Sequence, residues 1–310
     1  MTHALKTTKN SGKIVFFGSG PVAAQCLELL LKKWEIEAVV TKPRPTHHRG
    51  DVPVISLAES YSLPIFTASN RTELDHLFHT HTFVSQCAIL IDFGIIVSQK
   101  VIHTFALGIV NSHFSLLPHL RGADPITFSI LEGAEKTGVS LMVLDEGMDT
   151  GKVLAYRSLH LAPHETTPTL TKRLIVLSDE LINEYLPRYV AGKLVSKSQP
   201  HPERATYSRK LTKADGTIDW TKSAEQLERE IRAFYEWPKS RTTLGEIDVI
   251  IRSAKLKKTI ADSQPGEYIY TDKQLLIQTG DESLSIQYIQ PLGKKEMPIQ
   301  AFLAGYRSKL

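Results

Sequence analysis

Asn111, His113 and Asp149 are the residues whose types and spacing best suit chemistry. Asn111 and His113 follow a short apolar run, Gly108-Ile109-Val110, which reads as a strand. Side chains two apart on a strand point to the same side, so this amide and this imidazole can face one site. Asp149 stands 36 residues beyond His113, in the turn-rich run Asp145-Glu146-Gly147-Met148-Asp149-Thr150-Gly151. An asparagine offers an amide donor, a histidine carries protons near neutral pH, and an aspartate orients the imidazole. That set needs no serine or cysteine nucleophile. It suits acyl transfer in which one substrate supplies the nucleophile and fixed donors hold the oxyanion.

The intervening residues must bring Asp149 back beside His113. Ser115 to Asp124 reads as a loop, Pro125 to Glu132 as a helix and Val139 to Leu144 as a return strand. Upstream, the apolar run Lys13 to Phe17, the turn Gly18-Ser19-Gly20-Pro21 and helical spacing over Val22 to Leu31 open a parallel α/β unit. The turn also fits G-x-G-x-x-A, the dinucleotide fingerprint. The second strand, Ile36 to Val40, ends in Thr41-Lys42 without an acid for a ribose, so the glycines are read as a tight turn. Further strands are expected at Pro64 to Phe66, Cys87 to Ile91 and Lys152 to Tyr156, and helices at Ser56 to Tyr61, Glu73 to His79 and Thr166 to Arg188.

A polar stretch, Gly192 to Arg204, reads as a linker. Beyond it, Ser223-x-x-Gln226 forms a capping box before a helix over Ala224 to Phe234. Short alternating runs follow at Ile247 to Arg252, Gly266 to Tyr270, Leu275 to Thr279 and Leu284 to Tyr288, separated by turn signals, with a last helix at Pro298 to Tyr306. The expected architecture is a Rossmann-like, mostly parallel α/β domain over 13–191, a linker over 192–204 and a small antiparallel, OB-like β-barrel over 205–310. Residues 1–12 read as a polar arm.

Composition narrows the function classes. Of 310 residues, 42% are hydrophobic and 23% charged, ordinary for a globular protein. No apolar run approaches the ~20 residues of a membrane span. Cys26 and Cys87 sit in apolar runs and read as buried thiols, consistent with a reducing cytoplasm. Residues 205–310 hold 17 Lys+Arg against 14 Asp+Glu, so three of the four net positive charges lie there. Lys255, Lys257 and Lys258 form the densest basic run, which reads either as a solvated face or as a hold on a phosphate backbone. The run Lys42 to Gly50, with two prolines, is a loop; His47 and His48 lack a third ligand at useful spacing, so no metal is expected.

Several motifs recur in order: Asn-x-His-x-Ser-Leu-Leu-Pro over 111–118, Arg121-Gly122, Thr137-Gly138-Val139, and Asp-x-Gly-x-Asp-x-Gly over 145–151. The string closely resembles the folate-dependent formyltransferases. With the basic loop and the C-terminal barrel, the likeness extends to the methionyl-tRNA formyltransferase family. The resemblance implies transfer of a formyl group from 10-formyltetrahydrofolate to the amino group of methionine on initiator tRNA, without a metal and by a cytoplasmic monomer. It makes Asn111, His113 and Asp149 catalytic. It places Phe93, Gly94, Ile95, Ser115, Leu116, Leu117, Pro118, Leu144 and Asp145 against the folate, and Arg44, Arg49, Lys255, Lys257 and Lys258 against nucleic acid. Asp92, His119 and Asp124 stand where the family carries other residue types. Three alternatives remain: a sugar-nucleotide or glycinamide-ribotide formyltransferase, a 10-formyltetrahydrofolate hydrolase, and a non-catalytic tRNA-binding protein.

Overall fold

The computed structural model describes residues 12–46, 50–259 and 262–310. His47, His48 and Arg49, and residues 1–11 of the expected arm, lie outside them.

The chain opens with β1 (Lys13–Phe17), α1 (Pro21–Leu30), β2 (Glu35–Thr41), α2 (Pro53–Ser60), β3 (Ile65–Thr67), α3 (Arg71–Thr80), β4 (Cys87–Leu90), α4 (Gln99–Ile102) and β5 (Ile109–His113). After the two-residue β6 (Arg121–Gly122) come α5 (Pro125–Leu131), β7 (Lys136–Val143), β8 (Val153–His160) and α6 (Thr167–Val190). The main sheet runs β3-β2-β1-β4-β5-β7-β8. Its first five strands are parallel, and β7 returns antiparallel to β5. β1 is almost wholly apolar because both faces of a central parallel strand are covered. Val15 and Phe17 enter one core with Val40, Ala88 and Ile109, while Ile14 and Phe16 are also buried.

The turn after β1 is closed by Asp92. A Cβ on Gly20 would lie 2.2 Å from an Asp92 carboxylate oxygen. That carboxylate occupies the start of α1, where a dinucleotide would set its phosphates. The backbone stitches the same two segments together through Ser19 N–H to the Asp92 carbonyl (3.0 Å) and Ser19 Oγ to the Phe93 carbonyl (3.0 Å).

The C-terminal elements are β9 (Tyr207–Ser208), α7 (Ala224–Ala233), β10 (Ser240–Leu244), β11 (Ile247–Lys257), β12 (Tyr268–Tyr270), β13 (Leu275–Gln278), β14 (Ser283–Pro291), β15 (Met297–Pro298) and α8 (Ile299–Tyr306). The antiparallel path β10-β11-β14-β13-β12 curls into a half-barrel, with β15 on β14. Its core gathers Leu227 and Ile231 of α7, Val249, Ile251, Ile277, Ile286 and Ile289 of the sheet, and Phe302 of α8. The sequence alone does not reveal β10 or the extension of β11 to Lys257, because Arg241, Thr242 and Thr243 break the apolar alternation there. Ser223 caps α7 by accepting from Gln226 N–H at 3.2 Å. The Gln226 side chain turns instead to Glu230, 3.4 Å away, so only half of the expected capping box forms.

The chain packs into two compact units that do not follow chain order throughout. Of the described residues, one unit holds 12–46, 50–122, 137–159 and 171–207; the other holds 123–136, 160–170, 208–259 and 262–310. The expected linker, 192–204, thus belongs to the first unit. The second recruits its early segments through specific bonds: Leu211 N–H to Asp124 (3.1 Å), Arg232 to the Glu165 carbonyl (2.9 Å) and Thr167 Oγ1 to the Ala233 carbonyl (2.6 Å).

Candidate active site

The alternation of β5 sorts its side chains. Ser112 turns to α6, where its hydroxyl meets that of Ser178 at 2.6 Å, both buried. Asn111 and His113 therefore take the opposite face. Both are buried, at 7% and 6% exposure.

Asp149 joins them by way of a shaped turn. β7 runs back along β5, pairing Asn111 with Met142 and His113 with Ser140. The chain then enters the 145–151 run, where Asp145 Oδ1 accepts from Gly147 N–H (3.1 Å) and Thr150 Oγ1 (2.7 Å). A Cβ on Gly151 would sit 1.9 Å from the Val143 carbonyl oxygen, so only glycine lets the turn close on its own strand. Asp149 itself adopts a left-handed backbone, φ +53°, a conformation that aspartate tolerates better than most residues. Its Oδ2 accepts from Gly122 N–H at 2.7 Å and lies 3.7 Å from His113 Nδ1; its Oδ1 lies 3.4 Å from Asn111 Nδ2.

The imidazole is held from its other side as well. His113 Nε2 is 2.9 Å from the Leu120 carbonyl, an acceptor only, so Nε2 carries a proton. Nδ1, the other ring nitrogen, faces Asp149. The 3.7 Å gap is longer than a direct hydrogen bond, so Asp149 orients the imidazole more loosely than a direct bond would. The Leu120 turn is pinned in turn by Thr206, whose Oγ1 accepts from Leu120 N–H at 2.9 Å.

The residues expected against a folate fall into two groups. Phe93, Ser115 and Leu117 are buried. Phe93 packs edge-on to Phe17, and the Ser115 hydroxyl donates to the His119 carbonyl, so neither side chain presents itself to a ligand. Ser140 reinforces this loop, donating to the Ser115 carbonyl (2.6 Å) and accepting from Leu117 N–H (3.0 Å). Ile95, Leu116, Pro118 and Leu144 are half-buried and Gly94 is exposed. Leu144 borders two groups of buried residues: the main core, against which Ile95 also packs, and the small cluster of Leu117, Met142 and Val153. A partly exposed apolar rim backed by buried residues fits a flat heteroaromatic ring. Asp145 is exposed, and its Oδ1 is committed to shaping the turn.

Among the described nucleic-acid candidates, Arg44 is exposed and pairs with Glu59 at 2.8 Å. Lys255 and Lys257 are exposed on the last residues of β11, with Lys258 just beyond. No group of three or more His, Cys, Asp or Glu among the described residues could hold a metal ion. Among those residues, too, no helix is long and apolar enough to cross a membrane.

Gln199, which the sequence does not single out, completes the frame with Arg121 of the Arg-Gly motif. Gln199 and Arg121 are each 6% exposed, and Gln199 joins Arg121 to the Asp149 turn. Nothing local marks Gln199, which sits in a polar stretch between charged and proline residues.

Comparison with known proteins adds to this geometry. Residues 12–186 match the "Formyl transferase" family model, and residues 210–307 match "Formyl transferase, C-terminal domain". Over 300 residues the chain is 34% identical to a protein of Myxococcus xanthus named methionyl-tRNA formyltransferase, covering 95% of each. A Geobacter sulfurreducens protein of the same name is 32% identical over 302 residues, covering 95% of this chain and 94% of that one. Among solved structures, an N-formyltransferase from Helicobacter canadensis, in complex with folinic acid and dTDP-3-aminofucose, superposes with TM-score 0.67 at 17% identity. It covers 92% of this chain and 99% of its own, a likeness of fold.

Proposed function

Since the chain belongs to the methionyl-tRNA formyltransferase family, we propose that Asn111, His113 and Asp149 move a formyl group from 10-formyltetrahydrofolate to the α-amine of methionine on initiator tRNA. The reading is carried by one observation. A chain with near full-length relatives of that name folds so that the Asp149 carboxylate, from a separate segment, lies 3.4 Å from the Asn111 amide and 3.7 Å from the His113 imidazole.

The folate, when bound, supplies a formyl carbon activated for attack by an amine. The half-buried rim of Ile95, Leu116, Pro118 and Leu144 receives its ring. The amine must be neutral to attack; a free α-amine titrates at about 7.7–8.0, and an ester neighbour lowers this further. Asn111 uses one amide hydrogen toward Asp149 and has a second to donate to the charge that builds on the formyl oxygen. His113, with Nε2–H fixed on Leu120, holds or releases a proton at Nδ1. Asp149 stands beside that nitrogen and, directly or through a water, passes the proton from the attacking nitrogen toward the leaving one. Asp149 stays oriented throughout because Gly122 N–H grips the same oxygen. Lys255, Lys257, Lys258 and the loop from Arg44 to Arg49 supply phosphate contacts for the tRNA.

The test follows a labelled formyl group from the folate with charged initiator tRNA, with amino-sugar nucleotides, or with water alone. Label on methionyl-tRNA is the expected result. Label on the sugar, or release as formate without an acceptor, would replace this reading with a sugar formyltransferase or a hydrolase. Asn111→Ala, His113→Ala and Asp149→Ala are each expected to lose most turnover, and near-wild-type turnover in any two would remove the catalytic assignment.

A further inference from the structure

Gln199 uses all of its hydrogen-bonding capacity at once, and it does so out of water. Its Oε1 accepts from Arg121 Nε (3.2 Å) and Nη2 (2.7 Å). Its Nε2 donates to the Asp149 carbonyl (2.7 Å) and the Gly151 carbonyl (2.9 Å). The amide orientation is unambiguous, because a guanidinium only donates and a backbone carbonyl only accepts. Two residues earlier, Lys197 pairs with Val153 in both directions, at 2.7 and 2.8 Å, which fixes the segment carrying Gln199. Arg121 is fixed likewise, its N–H on the Thr206 carbonyl at 2.9 Å and its Nη1 3.4 Å from the Tyr207 hydroxyl.

These bonds close a ring. From Arg121 the path runs through its guanidinium to Gln199 and on to the Asp149 backbone. The Asp149 carboxylate then returns to the N–H of Gly122, the residue after Arg121. Asp149 is thus held at both ends, carbonyl and carboxylate, in its left-handed conformation.

We propose that Gln199 is a positioning residue for formyl transfer: with Arg121 it locks the 149–151 turn so that the Asp149 carboxylate stays between Asn111 and His113. The inference rests on the catalytic reading of Asp149 given above. Gln199 touches no reacting atom. Its effect passes through Asp149 alone, so it governs turnover and not substrate binding.

The test uses the full-length enzyme with formyl-folate and charged initiator tRNA. Gln199→Glu keeps the acceptor for Arg121 and the side-chain volume, but replaces two N–H donors with an oxygen facing two carbonyls. A displacement of the carboxylate of about 1 Å costs on the order of 10²-fold, so kcat should fall roughly 10- to 100-fold. KM for both substrates should stay within about threefold. Gln199→Met, uncharged and of similar length, should show the same split, and thermal melts identify any variant that fails to fold. In an Asp149→Asn background, followed by single-turnover measurements with enzyme in excess, Gln199→Glu should cost less than about twofold, because residues acting as a unit are not additive. A folded Gln199→Glu or Gln199→Met with kcat within threefold of wild type would overturn the proposal, as would an equal loss in both backgrounds. Wild-type turnover in Asp149→Asn alone would remove the underlying catalytic reading, an outcome separable from the other two.

Discussion

Asp149→Asn is the substitution that asks most of the site. Asparagine accepts the left-handed backbone at φ +53° about as well as aspartate, so the turn has no new conformational reason to move. Its one carbonyl oxygen can keep the Gly122 N–H bond of 2.7 Å. The new NH₂ then takes the place of Oδ1, 3.4 Å from Asn111 Nδ2, and sets donor against donor. Asn111 relieves the clash by flipping its amide, which turns its carbonyl where a donor is needed. Losing one such donor costs about 10²–10³ in rate. The lost charge adds a second effect. A carboxylate 3.7 Å from an imidazolium formed during proton transfer is worth roughly 4 kcal/mol at an effective dielectric of about 20, near 10³-fold. The two effects bear on the same transition state and are not additive, so kcat should drop by about 10³. Folding should lose only about 1 kcal/mol, the difference between a charged and a neutral acceptor for one N–H. Steady-state formylation of charged initiator tRNA measures the first quantity and urea unfolding the second. A folded Asn variant with kcat within tenfold of wild type would show that the carboxylate has no part in the chemistry.

Other outcomes follow from the same coordinates. Ser140→Ala removes a buried hydroxyl that serves the Ser115 carbonyl and Leu117 N–H, and should destabilise the protein by about 1–3 kcal/mol in urea titrations, with KM for the folate raised. Cys26 and Cys87 are buried, and burial pushes both thiols up, Cys87 to about 12. Neither should react with a thiol reagent at pH 8 until the protein is unfolded, and rapid labelling of the native enzyme would contradict the packing. Lys255→Glu and Lys257→Glu should weaken tRNA binding and lower the slope of log affinity against log salt by roughly one for each phosphate no longer neutralised, leaving folate binding unchanged. The Arg209 side chain, then the Thr212 backbone N–H, hold the Asp215 carboxyl well below the usual carboxylate range. A lowered pKa contributes stability that is present above the unfolded value of about 3.9 and is lost as pH falls below it. Urea midpoints should therefore drop below about pH 4, and Asp215→Asn should flatten that drop.

The order of motifs determined much of this protein from the sequence alone. Asn111 and His113 had to share a face, because strand side chains repeat every two residues, and Ser112 had to face away. The glycines at 147 and 151 announced a turn that could carry Asp149 back. Apolar runs such as Lys13–Phe17 and Cys87–Ile91 announced buried parallel strands within a residue of their ends. β10 was not legible, since Arg241-Thr242-Thr243 has no apolar alternation and pairs only because β11 lies beside it. The resemblance set Arg44 against nucleic acid; in the fold Glu59, fifteen residues on, pairs with it.

What only the tertiary structure decided is how the side chains of Asn111, His113 and Asp149 are held. The Leu120 carbonyl selects the His113 tautomer, Gly122 N–H grips Asp149, and Gln199 ties Arg121 to the turn from inside a stretch that reads as a linker. Periodicity reports which face of an element is buried. It says nothing about backbone carbonyls and N–H groups, which every residue carries alike, and those groups do most of the holding here.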